Sequence, residues 1–599
     1  MHIFIRIISL TLNHRWLTIK ALACVSGATA AYLFLPWLFG MAIDQTIKVI
    51  SDNTSSTSAI FQIAIVILIL SLLRGLLTFG QTYYGEKLSQ SVAYDLRNKF
   101  YNHVQNLSFE FHDTNHTGNL MSRAITDVEA FRMFIMAGLV RSPYYLILFI
   151  ASSTILIWRD WRLGLVALLF MPALGTLTTI LRLHLRRIWL RIQEDMAELS
   201  TVLQENMTGA RVVKAFAAEE YEEAKYDHSS SAVSFDMIRA ARLQALNTSI
   251  IVFIYLVTIG LILWAGGLRV INGDITPGDL ASFLFYMQIL AMPVRQAGMV
   301  VNSYARAFSA GERLFEVLDY ESHVRESKKP KTLPHTEGKV IFEDVSFSYD
   351  GHTPILQNIN LTGEKGKIIA IVGAPGSGKS TLVNLLPRFY DVRFGRITID
   401  GIDIRQASLN SLRSNIGIVQ QDVFLFTTSL KENIAYGRPQ ASMKEIISAA
   451  KIAQLDDFIN TLEDGYETVV GERGSTLSGG QRQRMSIARA VLLDPSILIL
   501  DDSTASVDAQ TEELIQKALE SLMHGRTTFV IANRLSTVHK ADEIIVLDHG
   551  KIVERGSHET LINHQGIYRQ IYDLQLKPQE DVMMEFEVNE NEPTEVTTS

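Results

Sequence analysis

Apolar residues fall into six long runs over the first three hundred positions and into short, spaced runs after them. Positions 21–43 hold no charge, and 60–79 are broken only by Arg74. Positions 142–158 and 163–181 are uncharged and separated by Arg159-Asp160-Trp161-Arg162. Positions 243–268 are uncharged, and 280–305 are interrupted once, by Arg295. A helix needs about 20 apolar residues to cross the hydrocarbon core, so six membrane spans are predicted. The connections near 44–59, 159–162 and 269–279 are short. Those near 85–136 and 182–242 are long, charged and poor in Gly and Pro, and they read as helices continued into water.

Lys and Arg concentrate in the long connections: Lys87, Arg97, Lys99, Arg123 and Arg132 in one, Arg182, Arg186, Arg187, Arg191, Arg211 and Lys214 in the other. The positive-inside rule places both, with both termini, on the cytoplasmic side. Arg159 and Arg162 lie on the opposite side and are outnumbered. Arg74 and Arg295 are charges within spans. Each is open to two readings, a polar substrate path or an arginine that snorkels or pairs inside the bundle.

Positions 1–16, short, basic and amphipathic without a small-residue cleavage site, read as an interfacial helix rather than a secretory signal. The spans and their extensions occupy 17–320. Positions 321–338 are polar with two prolines and read as a linker. From 339 to 576, β-branched runs alternate with helical stretches, which predicts an α/β domain on a largely parallel sheet. Positions 577–599 carry seven acids and one lysine and read as a disordered tail. The expected fold is an all-α six-helix transmembrane domain followed by an α/β P-loop domain.

Composition narrows the class. Hydrophobic residues are 47% and charged residues 20% of the 599, too apolar for a soluble chain yet charged enough for a soluble part. The net charge of -8 argues against nucleic acid as a partner. The single cysteine, Cys24, excludes an intrachain disulfide or cysteine metal site.

Chemistry is concentrated in the α/β part. A predicted buried strand at 368–372 runs into Gly373-Ala374-Pro375-Gly376-Ser377-Gly378-Lys379-Ser380 and then, with Thr381, a helical run. This is a P-loop in its required strand–loop–helix context. Glycines let backbone N–H groups turn toward phosphates, and the helix start adds favourable dipole. Lys379 reaches the β/γ-phosphates of ATP, and Ser380 can ligate Mg²⁺. A second buried strand, Ile497-Leu498-Ile499-Leu500, ends in Asp501, a carboxylate placed to hold the same Mg²⁺. Between them, Leu477-Ser478-Gly479-Gly480-Gln481 opens the helical run 482–493, a second glycine turn suited to an anion. One nucleotide seldom needs two such turns.

Over almost its whole length the chain resembles the ATP-binding cassette (ABC) exporters. In that family LSGGQ is the signature, which contacts the γ-phosphate of a nucleotide held by the opposing subunit. The resemblance therefore implies two cassettes sandwiching two ATP molecules. It implies that Tyr349 stacks on adenine, although an edge-strand tyrosine is the alternative, and that Gln421 is the Q-loop residue that touches Mg²⁺. Gly471-Glu472-Arg473-Gly474 is similar to the X-loop and Ser506-Val507-Asp508 to the D-loop. In the membrane half, Phe111-His112-Asp113 through Gly118-Asn119-Leu120-Met121-Ser122-Arg123 is similar to the first coupling-helix region. Gly209-Ala210-Arg211-Val212-Val213-Lys214-Ala215-Phe216 is similar to a stretch of the second long connection. Ordinary helix packing competes at these membrane-half positions.

Two departures stand out. The family places Glu, the general base, where this chain has Asp502, whose carboxylate reaches roughly 1.5 Å less far. Misplacement by about 1 Å can cost about 10²-fold. The family places a switch histidine where this chain has Asn533, which cannot titrate or carry charge. Together they resemble the degenerate site of heterodimeric members, where one composite site hydrolyses poorly and the other does the work. The expectation is an ATP-driven, multi-pass exporter half in a prokaryotic cytoplasmic membrane, paired with a second half-transporter. A heterodimer is favoured and a homodimer remains possible. The other partners are membrane lipid and a small-molecule substrate that is drug-like, lipid-like or peptide-like. A homodimer with two slow sites, an exporter-fold importer and an ATP-gated regulator or channel remain alternatives.

Overall fold

The computed structural model describes residues 2–51, 58–502, 509–532 and 534–577. The chain forms two compact units. One comprises the residues up to Gln105 and Thr117–Tyr320, the other Asn106–His116 and the residues from Glu321 onward.

Among the described residues the first unit is built from helices and contains no strand. A short amphipathic helix α1 (His2–Leu12) precedes α2 (Arg15–Ser51) and α3 (Ser58–Gln105). Helix α4 (Phe109–Thr114) belongs to the other unit. The first unit continues with α5 (Thr117–Arg159), α6 (Trp161–Thr208), the short α7 (Ala210–Ala215), α8 (Glu219–Ile271) and α9 (Pro277–Leu318). Six of these helices are long and apolar enough to span a bilayer. The apolar window of α3 has mean hydropathy 2.5 and none of it is buried, whereas that of α9 has 1.2 and is one-third buried. The most apolar span is thus the one whose apolar window is least buried, as expected where lipid, not water, is the outer solvent. Helix α5 is not regular: π-helical turns occupy Arg123–Asp127 and Ile135–Arg141.

Local chemistry explains the tight 159–162 connection. The Asp160 carboxylate caps α6, accepting from the amides of Arg162 (2.9 Å) and Leu163 (3.1 Å), a contribution of about 1 kcal/mol. Asp160 also pairs with Arg269 at 2.7 Å, and Arg159 pairs with Asp279. Arg159, which counted against the charge bias, is therefore neutralised locally. Helix α9 opens with a capping box between Thr276 and Asp279. Beside it, Asp44 of α2 accepts from Thr276 Oγ1 and from the Gly278 amide, both at 2.7 Å. Gly40 and Gly278 meet backbone to backbone there: a Cβ on Gly278 would lie 2.1 Å from the Gly40 carbonyl oxygen.

Among the described residues the second unit is an α/β domain with two sheets. Strands β1 (Val340–Phe347), β2 (Leu356–Gly363), β4 (Phe394–Ile399) and β5 (Ile402–Asp403) form an antiparallel sheet in the order β2-β1-β4-β5. Strands β3 (Ile368–Val372), β6 (Ile416–Val419), β7 (Ile497–Asp502), β8 (Thr527–Ala532), β9 (Glu543–Asp548) and β10 (Lys551–Gly556) form the other, in the order β10-β9-β3-β8-β7-β6. Pairings from β6 to β9 are parallel, and β10 is antiparallel. Both faces of β3 are buried. Ile369 and Ile371 enter the core shared with the antiparallel sheet, and Ala370 and Val372 enter the core shared with the helices. This is why the strand reads as an unbroken apolar run.

Candidate functional site

The P-loop stands at the end of β3, and helix α10 (Lys379–Asn384) follows it. Gly378 has φ +103°, a left-handed conformation, and a Cβ on Gly373 would lie 2.2 Å from the Leu547 carbonyl oxygen. Glycine is required at both, for conformation at one and for close approach at the other. The loop from Ala374 to Gly376 is exposed, and nothing would obstruct a Cβ on Gly376. The Ser377 hydroxyl beneath is buried without a hydrogen-bond partner among the described residues. Lys379 folds back over the loop, donating from Nζ to the carbonyls of Gly373 (2.8 Å) and Ala374 (2.9 Å). Burial pulls its ammonium below the ordinary lysine range, and the Asp501 carboxylate opposes that shift. A cation bonded only to neutral carbonyls, an orphaned hydroxyl and an open backbone loop together fit a polyphosphate.

Asp501 reaches this region through the sheet. It lies on β7, separated from β3 by β8, and pairs in register with Ile531. Asp502 pairs with Ala532, the last residue of β8. The side chain of Asp502, and Asn533 and Ser506-Val507-Asp508 entirely, lie outside the described residues. Gln421 is exposed two residues after β6, on the far side of β7. Ser380 and Thr381 are in the first turn of α10.

Tyr349 lies just beyond β1, not within a strand. Its hydroxyl is 3.1 Å from Thr381 Oγ1, and its ring meets Phe347 and Tyr390 edge-on, at 4.8 and 5.1 Å between centroids. An aromatic surface is thus anchored to the helix that follows the P-loop. Asp350, which the sequence did not single out, holds the next turn. It accepts from the amides of His352 and Thr353 and the hydroxyls of Ser348 and Thr353. These bonds keep its carboxyl far below the usual range.

The Leu477-Ser478-Gly479-Gly480-Gln481 segment opens α14 (Gly479–Leu493), which packs with α11 (Leu430–Ile434), α12 (Met443–Ile452) and α13 (Asp456–Asn460). Ser478 and Gln481 close a capping box: the Gln481 amide donates to Ser478 Oγ (3.3 Å) and the Ser478 amide to Gln481 Oε1 (2.8 Å). Gly479 has open space where a Cβ would stand, whereas Gly480 is buried. Gly474 of the preceding turn packs against the Arg482 side chain. Among the described residues no hydrogen bond joins residues 478–481 to residues 373–381. The two glycine turns at helix starts are thus separate elements of one chain.

The segment Asn106–His116 sits against the region after α10. Phe109 packs on Phe389 with 4.3 Å between ring centroids, and Tyr390 donates its hydroxyl to Asp113. Phe111 is buried. The counterpart stretch of the second connection forms α7 in the first unit, where Val212 and Phe216 are exposed.

Within the first unit a cavity of about 790 Å³ lies between α5 and the second half of α9. The π-helical stretch of α5 contributes Asp127 and Ala137, and Met133 lies between the two π turns. Helix α9 contributes Arg295, Met299, Arg306 and Arg313. Arg313 is paired with Asp127. Arg295 and Arg306 have no ion-pair partner among the described residues. Arg74 resolves differently: its guanidinium lies 3.6 Å from the Tyr32 ring centroid, the paired arrangement within the bundle.

Comparison with known proteins agrees with this geometry. Residues 18–294 match the ABC transporter transmembrane region and residues 356–505 the ABC transporter domain. The chain is 38% identical over 582 residues to the ATP-dependent lipid A-core flippase of Syntrophus aciditrophicus, covering 96% of this chain and 95% of that protein. It is 38% identical over 546 residues to a putative multidrug export ATP-binding/permease protein of Staphylococcus aureus, covering 91% and 94%. The solved structure of a bacterial Atm1-family ABC exporter with ATP bound superposes with TM-score 0.75 at 29% identity, over 94% of this chain and 99% of that one.

Proposed function

We propose, since the chain belongs to the ABC transporter family and is a multi-pass ATP hydrolase coupled to transmembrane transport, that it is one half of an exporter for amphipathic solutes and that its own P-loop contributes a weakly hydrolytic site. Residues 373–381 hold the ATP phosphates, with Lys379 as the cation. Tyr349 presents its ring to the adenine. Ser380, Asp501 and Gln421 hold Mg²⁺, whose charge offsets that of the phosphates. Ser478, Gly479, Gly480 and Gln481 complete the site built on the partner's P-loop. The observation that carries this reading is the separation of the two anion-binding elements on one chain. Each is formed and neither serves the other, so a second cassette must bring them together.

Asp502 and Asn533 set the rate. A shorter carboxylate positions the attacking water less well, and an asparagine offers one oriented donor without charge. Hydrolysis then falls mainly to the site that uses the partner's P-loop and this chain's signature. The cassettes lie in the cytoplasm, where ATP is, in agreement with the excess of Lys and Arg in the long connections. Closure of the sandwich acts on the membrane helices through segments such as Asn106–His116.

The cavity beside α9 supports an amphiphile as cargo. Methionines line it together with two arginines that lack ion-pair partners among the described residues. An apolar body with a polar, preferably anionic, end satisfies both. Two relatives are named for lipid flipping and multidrug export, which agrees with this class. The deciding experiment is the ATPase activity of the purified chain alone and co-purified with the product of a neighbouring transporter gene. Low activity alone and high activity together supports the degenerate-site heterodimer. High activity alone selects a homodimer in which Asp502 and Asn533 suffice.

A further inference from the structure

One side chain outside both motifs joins the helix that carries the signature to the segment that follows Gln421. Arg489 lies on α14. Its Nη1 donates to the Phe424 carbonyl (2.7 Å), its Nε to the Asn433 carbonyl (2.7 Å) and its Nη2 to Asn433 Oδ1 (2.6 Å). Asn433 is fully buried. Its Oδ1 also accepts from the Phe426 amide (3.0 Å), and its Nδ2 donates to the Phe426 carbonyl (2.9 Å). The guanidinium lies 5.7 Å from the Tyr436 ring, which stacks on Phe426 at 4.5 Å.

Two physical points follow. Every hydrogen-bond acceptor of Arg489 named here is neutral, so the residue gains direction and not charge pairing. A planar fork with donors on fixed bearings suits that task, and a lysine ammonium does not. Secondly, Phe424 is only three residues past Gln421, whereas Arg489 is rigidly part of the helix begun by Ser478. A displacement of the Gln421 segment moves acceptors that α14 follows, because a half-buried guanidinium that loses its partners leaves donors unsatisfied at a cost.

We propose that Arg489 is a positioning residue that sets the orientation of the signature helix by the position of the Gln421 segment. Nucleotide bound at this chain's P-loop is thereby reported to the signature this chain offers its partner's nucleotide. The inference rests on the reading above, that the signature serves the partner's site.

The test is amide hydrogen exchange on the full chain in lipid nanodiscs, with and without Mg·ATP, for wild type, Arg489→Lys and Arg489→Gln. In wild type, Mg·ATP is expected to slow exchange together in peptides covering 368–384, 416–434 and 478–493, by about fivefold or more, a size well within the range of local opening. In both variants the first two responses are expected to remain and the third to vanish. A merely structural role would raise exchange in 478–493 with and without nucleotide yet leave the ratio between them unchanged, and that result overturns the inference. So does a wild-type helix that ignores ATP while 368–384 responds. If 368–384 itself does not respond, the assignment of the nucleotide site fails first, and the inference falls with it.

Discussion

Tyr390 donates its phenolic hydroxyl to the carboxylate of Asp113, 277 positions earlier in the chain. The pair ties the short helix between two membrane spans to the turn after the P-loop helix, and Phe109 on Phe389 adds apolar contact. Removing the hydroxyl with Tyr390→Phe keeps the ring and loses the bond, worth about 1 kcal/mol, or roughly fivefold in an equilibrium. The expected result is roughly fivefold less solute moved per ATP, with ATP affinity unchanged, measured in proteoliposomes. The phenol is pushed above its ordinary range, first by burial and then by the bond to Asp113. Such a contact is fully present below the ordinary tyrosine pKa and lost only as pH rises through the raised value. Coupling should therefore be flat in pH from neutrality to about 9; a fall within that window would count against this contact.

Lys379 gives a pH dependence of the opposite kind. Burial lowers its pKa in the free site, and bound phosphates would favour the charged form and raise it again. ATP binding thus takes up a proton once pH exceeds the lowered value, so affinity declines with alkalinity sooner than an ordinary lysine would allow. Lys379→Arg, which stays protonated, should bind more weakly at neutral pH but show a flatter profile. Isothermal titration with Mg·ATP across pH 7 to 10 measures both.

Asp502→Glu with Asn533→His should raise turnover at this chain's P-loop by about 10-fold to 10²-fold, the scale attached to one well-placed catalytic contact. The double variant should exceed either single one, because base and switch act on the same water and phosphate. Steady-state ATPase on the purified chain decides it, and no gain from the double variant would remove the degenerate-site reading.

Gly278→Val places a side chain where the Gly40 carbonyl already stands. Backbone cannot yield as a flexible side chain can, so a loss of about 1–3 kcal/mol is expected. It should appear as a lower Tm in nanodiscs. Asp44→Ala, which removes the acceptor for Thr276 and Gly278, should lower Tm by less, since it leaves the helix contact itself intact.

Arg295→Gln should weaken transport of anionic amphiphiles more than of neutral ones of equal hydrophobicity, because it removes one of the two cavity arginines without an ion-pair partner among the described residues. Competition between a phosphorylated and a zwitterionic lipid probe in the same vesicles reads this directly. Equal losses for both would restrict Arg295 to a packing role.

Much of this protein is written locally. The six spans are legible because a membrane helix satisfies its own backbone and need only be apolar for about 20 residues. The P-loop is legible because Gly373 and Gly378 meet steric demands within a few residues of a buried strand. The signature is legible because Ser478 and Gln481 cap each other three residues apart. Such features depend on neighbours in sequence, so residue order alone determined them, and with them the family and the ATP chemistry.

The remaining features depend on partners distant in sequence. Arg159 looked like a charge against the topology until Asp279 was placed beside it. Arg74 had two readings until Tyr32 was found under it. Asp350, Tyr390, Asn433 and Arg489 carry no periodicity and match no motif; their roles come from hydrogen bonds to carbonyls, amides and carboxylates that the fold brings near. The π-helical turns of α5 likewise leave no mark in composition, yet they help shape the cavity with Arg295. The sequence by itself determined which elements exist and what chemistry they bear, because backbone sterics and hydrophobic burial act over short ranges. Only the tertiary structure decided which polar side chains meet, because a directional bond of about 3 Å is specified by the packing of whole elements.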